Sequence, residues 1–292
     1  MNCGFLTWLT SYLCDRFQRI QANGVVGPLI SVPSGVPQGS VLGPYLFALF
    51  IATLEVRSPN ARLVKYTDDL TLIETCTVDC PNPDHVRIVE AWTDAYKMQL
   101  NHSKCHQMLI NRTKQSNIKP NEAFETVPNV NVLGVTLNNN LSWDNHFERV
   151  ILNASRRLYT LRALKPYISK KKLVEVYNCS ILSILLYASP VFCKLPILVS
   201  CKLDRLRKRA HRIICDNECT CSILPDISTF RDKLACDFLR KCNDVKHPLH
   251  LRVPQKMKRS GKYCLPFSST SRRLNSFFPW TCMLANGDTS IL

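Results

Sequence analysis

Asp68 and Asp69 are the residues most able to do chemistry. They are adjacent carboxylates between two short runs of alternating, β-branched character, RLVKY and LTLIE. Like charges this close repel, and a divalent cation relieves that repulsion while creating a use for it. The alternation predicts a hairpin with both aspartates at or beside its tip. Successive strand residues point to opposite faces, so at most one carboxylate enters a shared metal site. A two-metal phosphoryl-transfer centre would need a further carboxylate from elsewhere. The plain alternative is a solvated turn, where Asp is common.

A second chemical candidate is the loop SGVPQGSVLGP, residues 34–44, which precedes an apolar run. Small residues let a backbone approach a nucleotide closely, and Gln38 beside Gly39 could hydrogen-bond a base or sugar. Gly, Pro and Ser before a helix are also ordinary entry punctuation. A third candidate is the basic run Arg205, Arg207, Lys208, Arg209 and Arg212, interleaved with Leu203, Leu206, Ile213 and Ile214. That spacing predicts a helix packed on one side and facing phosphates, or solvent alone, on the other. The sets Cys215, Cys219, Cys221 and Cys236, Cys242, His247 invite a zinc reading, but neither has paired short spacing, and unligated thiols are expected.

The elements that must position these groups follow from periodicity. Residues 5–14 read as a helix, and Asn23–Gly24 as the turn of a hairpin. Residues 45–56 read as an apolar helix. Residues 84–100 form an amphipathic helix with Val89, Trp92, Tyr96 and Leu100 on one stripe. A strand pair or bent strand is expected around Gly134, then helices over 143–164, 170–192 and 198–214, with weak periodicity beyond about 222.

The chain of 292 residues carries 38 Lys+Arg against 22 Asp+Glu, and 46% of it is hydrophobic, which excludes a wholly disordered chain. Residues 1–150 hold 12 Lys/Arg and 13 Asp/Glu, whereas residues 151–292 hold 26 and 9, so the second half carries the whole cationic excess. A polyanionic partner is expected, nucleic acid before an acidic membrane surface. The longest apolar stretch, residues 173–193, contains Glu175, Asn178 and Pro190 and reads as a buried helix rather than a membrane span. Fifteen cysteines without an evident secretory leader point to a reduced, intracellular protein, cytoplasmic or nuclear, with no disulfide partner.

Taken in order, GVPQGSVLGP, YTDD, LNHSKC and VNVLGVTLNNNLSWDNH resemble successive motifs of reverse transcriptases, of the non-LTR retrotransposon type, over about residues 5–190. The resemblance implies an α+β fold: a partial palm (antiparallel sheet with packed helices) at 1–138, a helical thumb at 139–222 and a basic tail at 223–292. It implies RNA-directed DNA polymerisation by two-metal nucleotidyl transfer, with an RNA template and a DNA primer. In that scheme Asp68 is a Mg²⁺ ligand and Asp69 a helper carboxylate. Tyr66 lies beside the primer end, Gln38 and Gly39 line the nucleotide and template site, and Lys104 faces the leaving pyrophosphate. Leu133 and Gly134 form the primer grip, and the basic run contacts the nucleic-acid backbone. Thr67 stands where the family more usually has alanine. The family's earlier catalytic aspartate has no counterpart, since no acidic residue precedes Asp15. The expectation is therefore a truncated polymerase that is inactive alone; a non-catalytic nucleic-acid-binding protein or a transposon relic is the alternative.

Overall fold

Asn23 and Gly24 both adopt positive φ, 51° and 80°, the backbone of a two-residue hairpin turn. They join β2 (Gln21–Ala22) to β3 (Val25–Val26) after α1 (Cys3–Leu13) and β1 (Arg16–Gln18), and β1 pairs antiparallel with β4 (Ile30–Val32). The computed structural model describes residues 3–75, 84–110, 120–215 and 223–287. They fall into two compact units, Met1–Thr126 and Val127–Leu292.

In the first unit, α2 (Gly43–Ala52) begins with Pro44 in its first turn, where a missing N–H costs nothing. β5 (Ala61–Tyr66) and β6 (Asp69–Glu74) form an antiparallel hairpin with Leu63 opposite Leu72 and Tyr66 opposite Asp69. α3 (Asp84–Ala95) follows. Trp92 packs at 5.2 Å from Phe50 of α2, and Tyr96, just past α3, meets both rings, so these two members of the predicted stripe pack. The helix stops short of Leu100, with Lys97 at φ 54° just beyond it. β7 (His106–Gln107) and β8 (Glu125–Thr126) form a short parallel pair. Strands pair only two at a time among the described residues.

The second unit opens with β9 (Asn129–Val132) and β10 (Val135–Asn138), an antiparallel hairpin. α4 (Asp144–Leu164) buries Phe147, Val150, Ala154, Leu158 and Leu161 at helical spacing, and α7 (Ile197–Cys215) buries Val199, Leu203, Leu206, Ala210 and Ile214. These stripes share one core with Leu173 and Tyr177 of α5 (Lys170–Tyr177), Leu185 of α6 (Ser183–Leu186) and Phe192. Each large aliphatic residue so buried stabilises the fold by about 1.5–3 kcal/mol. Residues 170–192 are not one helix. A π turn spans Asn178–Leu182, α6 ends at Leu186, and Ala188 takes φ 52° before a 3-10 turn, Ser189–Phe192.

Beyond residue 222 the chain is more ordered than its weak periodicity predicts. α8 (Ile227–Cys242) is capped by Asp226, whose carboxylate accepts the Thr229 N–H at 2.9 Å. α9 (Ser271–Leu274) leads to α10 (Phe277–Asn286), which buries Trp280, Cys282 and Met283. The stripe of α8 is hard to read because it runs Ile227, Arg231, Ala235, Leu239, Cys242, with a guanidinium among the apolar groups. Arg231 is buried, donates to the Phe192 carbonyl and lies 5.8 Å from the Phe147 ring. No helix of the described residues is long and apolar enough to cross a membrane. The class is α+β, as expected: helices with small, mainly antiparallel sheets.

Candidate functional site

The tip of the β5–β6 hairpin consists of Thr67 and Asp68, and Asp69 opens β6. Asp68, Asp69 and Tyr66 are all exposed, and the facing register puts Tyr66 and Asp69 on the same side. Thr67 has φ 50°, an outlier for a β-branched residue. Its hydroxyl is shared between the Tyr66 carbonyl at 2.7 Å and Asp68 Oδ1 at 3.0 Å.

What positions this tip is Lys65. Its Nζ donates to the carbonyls of Ile51 (3.0 Å), Ala52 (3.4 Å) and Leu54 (2.8 Å). Those carbonyls lie at or just past the C-terminus of α2, where unpaired oxygens and the helix dipole both favour a cation. Elsewhere on the hairpin, His85 of α3 meets Glu74 of β6 at 2.7 Å. Lys65 was legible only as a cation in the same alternating row of β5 as Leu63.

The glutamine loop lies at the other end of α2, about 15 Å of helix away from that anchor. Gln38 and Gly39 lie in this loop, with Gly39 exposed at φ 77°. Ser40 Oγ accepts the Gly43 N–H at 3.0 Å and donates to the Pro37 carbonyl at 2.9 Å. A Cβ at Gly43 would sit 3.0 Å from that oxygen, which favours glycine there. Arg16 closes the loop from the other side, through its guanidinium to the carbonyls of Ser34 (3.1 Å) and Gly35 (2.6 Å). Lys104 is exposed on the 3-10 turn His102–Lys104.

Leu133 and Gly134 form the β9–β10 turn, at φ 49° and 80°. Tyr187 donates to the Leu133 carbonyl at 2.6 Å, and its ring lies 3.4 Å from where a Gly134 Cβ would be. Arg149 of α4 donates to the Gly134 carbonyl at 2.7 Å. No local sequence signal marks Tyr187 or Arg149, because both reach the turn from segments that only folding brings near it.

The five cations of the basic run in α7 divide into two groups. Asp204 holds Arg207 and Lys208, each at 2.8 Å, and these cations keep its carboxyl below the usual range, the Lys208 bond most of all. Arg205, Arg209 and Arg212 lie away from the buried stripe of the helix. Of the thiols considered for zinc, Cys215 and Cys242 are buried and Cys236 is half-buried; Cys219 and Cys221 lie outside the described residues. His247 packs edge-on against Phe238 at 5.6 Å.

Known proteins share part of this sequence. Residues 2–137 match the model of the reverse transcriptase (RNA-dependent DNA polymerase) family. Over this stretch, just under half of the chain, the sequence is similar to reverse transcriptases. The match takes in the glutamine loop, the carboxylate tip, Lys104 and the Leu133–Gly134 turn. The chain is 23% identical over 211 residues to the RNA-directed DNA polymerase from mobile element jockey of Drosophila funebris, covering 63% of this chain and 22% of that protein. It is 26% identical over 231 residues to the probable RNA-directed DNA polymerase from transposon BS of Drosophila melanogaster, covering 71% and 25%. The chain thus spans about a quarter of the length of these relatives.

Magnesium is what the resemblance implies at Asp68, and the donor set can be tested against it. Two exposed neighbouring carboxylates, one already accepting the Thr67 hydroxyl, supply hard oxygens but do not enclose an ion. Among the described residues no three His, Cys, Asp or Glu side chains converge on one point. The described residues do not complete a magnesium site.

Proposed function

We propose that this chain is part of an RNA-directed DNA polymerase of a non-LTR element, and that by itself it binds primer–template without extending it. The family match over residues 2–137 carries the reading. In it, the exposed tip of Tyr66, Asp68 and Asp69 is the reaction end, with Asp68 the residue destined for the metal. The Gln38–Gly39 loop meets nucleotide and template, Lys104 meets departing pyrophosphate, and the Leu133–Gly134 turn steadies the primer. Residues 1–138 act as the palm and 139–222 as the thumb. Arg205, Arg209 and Arg212 contact phosphates from the open face of α7, while Arg207 and Lys208 are drawn toward Asp204 and contribute less. Because the described residues do not complete the metal site, no chemical step is assigned to the chain alone.

Two assays test this. Labelled RNA template annealed to a DNA primer should bind with steep salt dependence, and Asp68→Ala should leave that binding intact. Primer extension with Mg²⁺ should give no product. Magnesium-dependent synthesis abolished by Asp68→Ala would overturn the claim of inactivity, and salt-insensitive binding would overturn the interface.

A further inference from the structure

Between Asp244 and Asp288 the chain has eight Lys/Arg and no Asp/Glu. This segment lies outside the family match and outside α7. Its densest cationic stretch, residues 256–262, folds as a tight turn: Met257 N–H donates to the Lys262 carbonyl at 2.8 Å, Gly261 N–H to the Met257 carbonyl at 2.9 Å, and Cys264 N–H to the Gln255 carbonyl at 2.8 Å. Gly261 sits at φ 67°, which closes the turn.

The turn stands on a rigid base. Tyr263 is buried against Leu239 and Cys282. Its hydroxyl accepts from Asn243, just past α8, at 3.0 Å. Its backbone N–H and carbonyl are both held by Asn286 of α10, at 2.8 and 3.0 Å. Lys256 lies 4.8 Å over the Tyr263 ring, while Lys258 and Arg259 occupy the exposed tip. None of these three cations is ion-paired with a carboxylate among the described residues. Lys256, Lys258 and Arg259, like charges on a braced turn with no carboxylate paired to them among the described residues, repel one another in the free protein and are relieved by a polyanion.

We propose that the Lys256–Arg259 turn is a second nucleic-acid contact, gripping the phosphate backbone of a single strand independently of α7. The ligand class rests on the polymerase reading above. The shape agrees with it: membrane-surface segments present cations on an amphipathic helix, whereas here the aromatic residue is turned inward and the cations occupy a turn.

The test uses the full chain carrying K256Q/K258Q/R259Q and, separately, R205Q/R209Q/R212Q. Each is titrated with a fluorescein-labelled unstructured RNA oligonucleotide across a potassium chloride series. The turn variant should weaken binding roughly tenfold near physiological salt and make the logarithmic salt slope shallower by about 2, at ~0.7 for each phosphate no longer neutralised. Lys256→Arg with Lys258→Arg should retain parental binding. A turn variant with unchanged slope and affinity overturns the proposal. So does one that keeps RNA binding and loses binding to vesicles of acidic phospholipid, which would make the surface a membrane contact. If the α7 variant binds this single strand as the parent does while the turn variant fails, this inference stands, and the primer–template assay above judges the thumb assignment separately. A parent that does not bind the oligonucleotide overturns this inference, whereas failure to bind primer–template overturns the reading it rests on.

Discussion

At Lys65 a single side chain ties the carboxylate hairpin to the end of α2. Its three carbonyl partners are the end of α2, so Lys65→Met leaves those oxygens without their cation. The first unit should lose about 1–2 kcal/mol by urea denaturation. Thr67 carries the opposite opportunity. Thr67→Asn fits the positive φ better and should stabilise the hairpin by about 0.5–1 kcal/mol in the same measurement. Thiol chemistry also divides by residue. Burial pushes Cys193 up to about 12 and Cys282 up to about 11. Both should stay unmodified by iodoacetamide at mildly alkaline pH, while exposed Cys14, Cys201 and Cys264 are labelled, as read by peptide mass spectrometry.

At the scale of elements, the β9–β10 turn and α4 are tied by more than Arg149. His146 is buried in the first turn of α4, stacked on Phe192 at 4.7 Å, and its Nδ1 accepts the Thr136 N–H of β10 at 3.3 Å. Burial first, and the charge of Arg149 second, lower its pKa below the usual 6.5. The unfolded chain therefore binds a proton that the native state resists, so stability rises with pH. The contribution is full above about pH 6.5 and is lost as pH falls below it through the native value. Melting temperature of the second unit should drop over that window, and His146→Gln, which keeps an acceptor for Thr136, should flatten the drop.

For the whole molecule, the two units differ in how much they bury. Among the described residues the first has only Ile51, Leu54 and Ala61 as buried apolar side chains, whereas the second has a continuous core from Val135 to Ile227. In the first unit Phe5, Trp8, Phe17, Val25, Leu29 and Ile30 are all exposed. Little apolar burial means low local unfolding free energy. Limited proteolysis should degrade residues before about 127 first and leave a resistant fragment containing α4–α10. Equal protection of both units would contradict the difference in burial.

Some of this architecture was present in residue order alone. Asn23–Gly24, the arms around Asp68–Asp69, Gly134 and the stripes of α4 and α7 each declare themselves within a few positions, because turns and amphipathic faces are local. The ordered motifs that make residues 2–137 similar to reverse transcriptases are local as well. Other facts depended on groups far apart in the chain. Lys65 reaches the end of α2, Tyr187 reaches the Leu133 carbonyl across 54 positions, and Arg231 hides in the stripe of α8 until the Phe192 carbonyl accepts its hydrogen bond. The weakly patterned tail has its order for the same reason, since Tyr263 and Trp280 find their surroundings only against α8. Local periodicity reports which face of an element is apolar; which buried polar group meets which carbonyl is settled by packing.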